Sequence, residues 1–177
     1  MIGDFKNSKS NRIAVSSLLA SFSLVLAIIS HYLSIPMVPM LKVDISDFPI
    51  FLSTFLLGAP SGYIILFAVS FIRSLFFSSA GWTGLIMRMV SCVSIFFIGI
   101  YQKSGKKFFL WMFCAVLFSL IVKIPVSYIF WTKFHFMPPD FIKSIMLPIV
   151  IPYNLIKNLV NVFLAYLFYK KMKDFKF

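Results

Sequence analysis

The sequence predicts an all-α membrane protein with six transmembrane helices and with both termini in the cytoplasm. Hydrophobic residues make up 60% of its 177 residues and charged residues only 12%, whereas soluble proteins carry roughly 25% charged residues. Apolar runs of about the length that a membrane helix needs recur along the chain. Short basic clusters lie beside these runs, so the net charge of +12 indicates membrane topology rather than nucleic-acid binding. We predict one membrane domain over residues 1–177.

Six apolar segments are predicted to cross the membrane, since a span needs about 20 apolar residues. The first follows a basic stretch and has no Ala-x-Ala cleavage site, which favours a retained span over a signal peptide. The second is short and is closed by the turn residues of Gly58–Gly62, and the last is interrupted early by Pro148 and Pro152. The predicted spans are Ile13–Ile35, Phe48–Leu57, Tyr63–Ser78, Thr83–Tyr101, Phe108–Trp131 and, approximately, Ile142–Tyr169.

The short second segment could instead be the first half of one long helix with the third, which would leave five spans. The basic residues favour six spans, because the clusters at 6–12, 103–107 and 170–176 then share one side of the membrane. Cytoplasmic loops carry the excess of lysine and arginine, so this side is predicted to be the cytoplasm. The loops predicted to lie outside are Pro36–Asp47, Ser79–Trp82 and, roughly, Thr132–Phe141.

Four basic residues lie inside the predicted spans and away from their ends, and a charge costs about 2.5–3.5 kcal/mol at mid-membrane. They are Arg73, Arg88, Lys123 and Lys157. Each could extend to the nearest interface, but six spans place the first three in the external half, and the prolines before the fourth could bring it to a similar depth. We predict that they converge on one outward-facing cavity, where only Asp44 and Asp47 could neutralise them. Such a cavity suits a ligand rich in hydrogen-bond acceptors, including an anion.

The last predicted helix carries a polar stripe, because its asparagines and a lysine recur at spacings of three and four. Its members are Asn154, Lys157, Asn158 and Asn161. In a membrane helix such a stripe faces the interior, where it could line a cavity or only join helices by hydrogen bonds. The loop before the second span is stiffened by prolines, so it could act as a lid or as a plain connector. In that loop, Asp47 could cap the following helix.

The first predicted helix carries small residues three or four positions apart, and these permit close approach of another helix. They are Ser16, Ala20, Ser23 and Ala27. The contact that they make could lie within the bundle or with another subunit.

Residues that would indicate catalysis are scarce in this sequence. It has no Gly-x4-Gly-Lys-Ser/Thr loop, so it does not bind ATP by that device. Cys92 and Cys114 match no metal-ligand spacing and are expected to be packing residues. Asp44 and Asp47 are the only close pair of carboxylates, which leaves an intramembrane metal-dependent enzyme as an alternative of another class. We predict a protein that is not an enzyme and has no catalytic residue, bound metal or cofactor.

Two segments resemble those of the substrate-binding S components of energy-coupling factor (ECF) vitamin transporters. They are Leu41–Pro49, with the sequence LKVDISDFP, and Pro152–Lys157, with the sequence PYNLIK. Both are most similar to the segments of the riboflavin-binding subgroup. The resemblance implies a multi-pass protein of the bacterial cell membrane that captures a vitamin outside the cell. It also implies association with a membrane coupling (T) subunit and two cytoplasmic ATPases, which supply the energy for import.

The resemblance also assigns roles to residues. The predicted substrate-binding residues are Leu41, Asp44, Asn154 and Lys157, from the matching segments, and Arg73, Arg88 and Lys123, from the argument on charge. In that family an Ala-x3-Ala motif on the first helix contacts the coupling subunit, and the small residues of Ser16–Ala27 are the nearest match. The motifs favour riboflavin. Because Arg88 and Lys123 stand where neutral polar residues are expected and riboflavin is uncharged, an anionic vitamin such as pantothenate is the alternative.

Overall fold

A computed structural model describes residues 9–32, 44–76, 81–104, 107–133 and 138–174. The helices in chain order are α1 (Lys9–Tyr32), α2 (Phe48–Leu57), α3 (Ala59–Phe76), α4 (Gly81–Met89), α5 (Cys92–Ser104), α6 (Phe108–Lys133), α7 (Pro139–Ile145) and α8 (Ile151–Asp174). A π-helical turn, Met146–Val150, joins α7 to α8. Within the described ranges there is no β-strand, so the predicted all-α class is confirmed.

Five helical stretches are long and apolar enough to cross a membrane. They are Lys9–Ser30, Ala59–Phe76, Gly84–Ser104, Phe108–Lys133 and Pro139–Lys173, and a shorter apolar helix is Phe48–Leu57. These stretches follow the order of the predicted spans, so the multi-span helical architecture is confirmed. The cytoplasmic position of both termini and the assignment of residues 1–177 to one domain stay predictions.

The helices α2 and α3 are separate and fold back on each other, which excludes the alternative of one long helix. Gly58 between them has a φ of 100°, in a region that residues with a side chain rarely adopt. After the turn, Gly62 of α3 packs so closely on Thr54 of α2 that a side-chain carbon at position 62 would overlap the threonine hydroxyl. The hairpin places α2 inside the bundle, where nine of its ten residues are buried.

The fourth predicted span is present, but a tight turn that the sequence did not predict interrupts it. The helix α4 ends at Met89, and a tight turn at Val90 and Ser91 precedes α5. In this turn the amide of Ser91 donates to the carbonyl of Arg88 at 3.0 Å, and the amide of Val93 donates to the carbonyl of Val90 at 3.1 Å. These bonds span three residues rather than four, as in a 3₁₀ turn. The break leaves Arg88 in the last turn of α4.

The last span is interrupted near Pro148, as predicted, and the interruption is a π-helical turn. Proline has no N–H to donate to the preceding turn, and the amide of Ile151 donates to the carbonyl of Met146, five residues back. Such turns widen a helix locally and are frequent at functional sites. The regular helix α8 begins directly after it and carries the polar stripe.

The carboxyl end of α2 lies within the bundle, so its last carbonyl groups need partners from other helices. The side-chain amide of Gln102 on α5 donates to the carbonyl of Phe55 at 3.1 Å. The guanidinium of Arg12 on α1 donates to the carbonyl of Leu57 at 3.3 Å. These two side chains tie the short helix to its neighbours.

Replacement of Gln102 by methionine is expected to lower the stability of the protein by about 1–2 kcal/mol, because the buried carbonyl of Phe55 loses its side-chain donor. Thermal denaturation of the purified protein in detergent measures this loss. The exposed neighbour Lys103 provides the matched control, since Lys103→Met on the same helix should leave the midpoint unchanged. Equal midpoints for Gln102→Met and wild type would contradict a role of Gln102 in holding α2.

Candidate functional site

The segment before α2 brings two carboxylates into the bundle, since Asp44 is 7% and Asp47 is 2% exposed. Pro49 occupies the first turn of α2, as predicted. Asp47 occupies the N-cap position of α2, as predicted, but within the described residues its carboxylate makes no hydrogen bond to the helix amides. It faces Arg88 and Lys157 instead, and these two cations attract it more strongly than neutral N–H groups do.

Three of the predicted cations meet the two carboxylates and form what we call the charged cluster: Asp44, Asp47, Arg73, Arg88 and Lys157. Nη1 of Arg73 lies 2.6 Å from Oδ2 of Asp44, and Nη2 of Arg88 lies 2.8 Å from Oδ1 of Asp47. Nζ of Lys157 lies 3.5 Å from Asp44 and 3.4 Å from Asp47. The three cations therefore face the interior of the bundle, where the two carboxylates lie.

The hydroxyl of Ser46 lies between the two guanidinium groups and accepts a hydrogen bond from each. Nη1 of Arg73 donates to it at 3.1 Å, and Nη2 of Arg88 donates to it at 2.8 Å. The backbone amide of Ser46 donates to Oδ1 of Asp44 at 2.9 Å. A single serine thus aligns both arginines with the neighbouring carboxylates.

The cations keep both carboxylates ionised despite their burial. Burial raises the pKa of Asp44, but the attraction of Lys157, then of Arg88 and Arg73, outweighs it and holds the pKa well below its usual range. Burial also raises the pKa of Asp47, and Lys157 and Arg88 again lower it by a larger amount. Both side chains therefore act as anions at neutral pH.

Two further side chains, whose contacts are not evident from the sequence, hold the backbone of this segment. The amide nitrogen of Asn161 on α8 donates to the carbonyl of Asp44 at 3.0 Å. The hydroxyl of Ser23 on α1 donates to the carbonyl of Ser46 at 2.5 Å. The signal for Asn161 was its place in the polar stripe, four residues after Lys157. Only the folded chain shows that these two residues hold the loop.

The small-residue stripe of α1 lies partly inside the bundle. Ser23 and Ala27 are buried by this chain's own helices, which fits the alternative of a contact within the bundle. Ser16 and Ala20 are half-buried, and Ala20 packs against the main core. Contact of the stripe with a coupling subunit stays a prediction.

A cavity of about 200 Å³ adjoins the charged cluster. Its lining residues are Asp44, Asp47, Ser70, Arg73, Ser74, Gly84, Leu85, Met87, Arg88, Ser91, Lys123 and Lys157. All four cations that the sequence placed inside the membrane spans therefore reach one cavity. Three serines, from α3 and from the turn before α5, also line it and were not predicted. The cavity contains four cations and two carboxylates, an excess of two positive charges.

A second cavity, of about 140 Å³, has mostly apolar walls. Its lining residues are Asp44, Ile45, Tyr153, Ile156, Lys157, Val160 and Asn161. The two cavities share Asp44 and Lys157, so the charged cluster lies where they meet. The arrangement can hold a molecule with one apolar part and one part rich in hydrogen-bond acceptors.

Two of the predicted substrate-binding residues are not among those that the structure gathers. Leu41 lies outside the described residues. The side-chain amide of Asn154 donates to the carbonyl of Val150 at 2.8 Å, and within the described chain Asn154 lines neither cavity. It satisfies a carbonyl of the π-helical turn. Asn158 of the same stripe donates to the hydroxyl of Ser119 at 3.3 Å and so joins α8 to α6.

The hypothesis of a metal-dependent enzyme has no support. The described residues contain no group of three or more His, Cys, Asp or Glu side chains that could hold a metal ion. The carboxylates of Asp44 and Asp47 are already paired with arginine and lysine. The cysteines, Cys92 and Cys114, are free and half-buried.

Comparisons with known proteins agree with this picture. A family model described as the substrate-specific component of ECF transporters matches residues 11–174. Riboflavin transporter RibU of Lactococcus lactis subsp. cremoris, from strains NZ9000 and MG1363, is 32% identical over 104 residues, which is 57% of this chain and 50% of the relative. The chain thus matches about half the length of these curated relatives.

A solved structure of the S component of a bacterial ECF transporter has the same fold. It superposes with a TM-score of 0.78 at 23% sequence identity, over 95% of this chain and 98% of the other. The family consists of transporter components and not of enzymes. Because the family model matches nearly the whole sequence and the fold agrees over nearly the whole chain, this protein belongs to the substrate-specific components of ECF transporters.

Proposed function

We propose that this chain is the substrate-capture subunit of an ECF transporter that imports a vitamin, with riboflavin as the first candidate. The observation that carries the proposal is the pair of neighbouring cavities, one apolar and one polar, that share two lining residues inside a chain of this family. Riboflavin has a flat ring system and a polyhydroxyl chain, which match the apolar and the polar cavity respectively. The similarity to riboflavin transporters over 104 residues supports this choice.

Import of the vitamin requires other subunits. The sequence has no phosphate-binding loop of its own, so we propose a membrane coupling subunit and two cytoplasmic ATPases as partners. The chain itself would remain in the bilayer as a multi-pass protein, with the cavities open toward the side from which the vitamin arrives. The substrate-binding residues of this proposal are the members of the predicted set that line the cavities: Asp44, Arg73, Arg88, Lys123 and Lys157.

An anionic vitamin such as pantothenate is the second candidate, and one observation favours it. The polar cavity has two more cations than carboxylates. A neutral ligand leaves that excess uncompensated, whereas a carboxylate would offset part of it.

Replacement of Lys157 by alanine is expected to weaken vitamin binding by about 2 kcal/mol or more, roughly 30-fold, because it removes the cation shared by both cavities. Calorimetric titration of the purified protein with riboflavin and with pantothenate measures the affinity. Lys170→Ala, an exposed lysine farther along α8, is the matched control and should bind like wild type. Wild-type affinity in a folded Lys157→Ala variant would exclude this site. Absence of binding to either vitamin by wild type would contradict the proposed substrates.

A further inference from the structure

The polar cavity contains buried donors that lack acceptors. Among the described residues, the hydroxyl of Ser70 and Nε of Arg88 make no hydrogen bond, although Ser70 is 1% exposed and the Arg88 side chain is 10% exposed. Lys123 also lines the cavity, and it makes no ion pair with any residue that the structure describes. A buried donor without a partner destabilises a protein, and a charged one does so more strongly.

The carboxylates of the cavity do not meet this need. The carboxylate of Asp44 is engaged by Arg73 and Lys157. Oδ1 of Asp47 lies 2.8 Å from Nη2 of Arg88, close enough for an ion pair but without the geometry of a hydrogen bond. Water could satisfy a neutral hydroxyl such as that of Ser70, but it adds no negative charge. A bound anion, in contrast, would offset part of the excess of two positive charges.

We propose that Ser70, Arg88 and Lys123, from α3, α4 and α6, form an anion subsite that binds a carboxylate or phosphate group of the captured molecule. This inference rests on the proposed function and makes it more specific. The substrate is a vitamin, or a phosphorylated form of one, that carries an anionic oxygen group, and its apolar part lies in the second cavity beside Tyr153 and Ile156. Arg88 holds Asp47 through one side of its guanidinium, and its Nε side faces the ligand.

The test is calorimetric titration of the purified protein with three probes: riboflavin, riboflavin 5′-phosphate and pantothenate. We expect one of the two anionic probes to bind at least about tenfold more tightly than riboflavin. Preference for the phosphate ester identifies a phosphate as the group that is bound, and preference for pantothenate identifies a carboxylate. Riboflavin binding at least as tightly as both anions would overturn the inference while leaving the proposed function in place. Binding of none of the three would contradict both.

The variant Lys123→Met tests whether the preference for an anionic probe depends on the proposed subsite. The substitution should weaken the anionic probe by about tenfold or more, and by a clearly larger factor than it weakens riboflavin. Lys123→Arg, which keeps the charge, should restore anion binding, and Lys133→Met, an exposed lysine on the same helix, should behave like wild type. Unchanged anion binding in a folded Lys123→Met variant would overturn the assignment.

A second measurement separates binding from a structural role. Removal of Lys123, which makes no ion pair among the described residues, should raise the thermal midpoint of the ligand-free protein, because the residues that line the cavity include two more cations than carboxylates. A variant that is more stable than wild type and binds the anion less tightly shows that Lys123 contributes to ligand binding and not to the stability of the fold. A lower midpoint together with equal losses for charged and uncharged probes would overturn the inference.

Discussion

Replacement of Asp44 by asparagine is expected to lower the stability of the protein by about 3–5 kcal/mol, the cost of breaking a buried ion pair from one side. Asparagine keeps the oxygen that accepts from the amide of Ser46, so the backbone turn is preserved. It replaces Oδ2, however, with an amide that points its N–H groups at the guanidinium of Arg73, 2.6 Å away, and at Lys157. Three cations then face one another with Asp47 as their only carboxylate among the described residues.

The thermal midpoint in detergent and calorimetric titration of the vitamin together measure this effect, and both should fall. Asp140→Asn is the matched control, because Asp140 is an exposed acid at the start of α7 and its loss should change neither quantity. A stable Asp44→Asn variant that still binds the vitamin would show that the cluster does not organise the site. Preserved stability with lost binding would assign Asp44 to the ligand rather than to the fold.

The convergence of the four cations on one cavity could be predicted from the sequence, because lipid cannot solvate a charge. A lysine or arginine deep in an apolar run must face the interior. The six-span topology, which the basic clusters favour, then placed Arg73, Arg88 and Lys123 in the same half of the membrane. Their counter-ions also followed from elimination, since Asp44 and Asp47 are the only acids in the loop nearby. These inferences need only the cost of a buried charge and the count of the spans.

The partners of individual side chains could not be predicted in the same way. Asp47 could bind the helix amides or the cations, and only the distances of the folded chain show that Arg88 and Lys157 prevail. The amide of Asn154 satisfies a backbone carbonyl because the π-helical turn lies directly before it, and sequence patterns do not specify such turns. The break at Val90 and Ser91 has no glycine or proline to indicate it.

The same segment stabilises the fold and forms part of the candidate site. Asp44 and Asp47 neutralise part of the positive charge before any ligand is bound, and Asn161 and Ser23 fix the backbone that carries them. A ligand with an anionic group would share the cations with these carboxylates rather than displace them, since Lys123 and Nε of Arg88 remain available. Binding of such a ligand should therefore add to the stability of the cluster.

Replacement of Gly62 by alanine is expected to destabilise the protein by roughly 3 kcal/mol or more, the upper range for overpacking a buried contact. The added carbon would overlap the hydroxyl oxygen of Thr54 and come within 3.2 Å of Cγ2 of Ile95. In a helix without this contact, the exchange of glycine for alanine stabilises by about 1 kcal/mol, so the sign of the effect identifies the cause. Because Ser70 and Arg73 lie farther along α3, a displaced helix would also move one wall of the polar cavity and weaken vitamin binding.

The second-site variant Thr54→Ala tests whether the clash is responsible, because it removes the hydroxyl that the new carbon would meet. The double variant Gly62→Ala with Thr54→Ala should recover most of the thermal midpoint and of the affinity, since the contacts that remain, 3.2 Å to Ile95 and 3.3 Å to the β-carbon of residue 54, need only small shifts. Neighbouring residues that share a contact show such non-additive effects, whereas independent ones do not. Additive losses in the double variant would mean that α2 and α3 do not pack in this way. Recovery would establish that glycine is needed at position 62 for the close packing of α3 on α2. This packing lets α2, which is too short to span the bilayer, lie inside the bundle and hold Asp47 at the charged cluster.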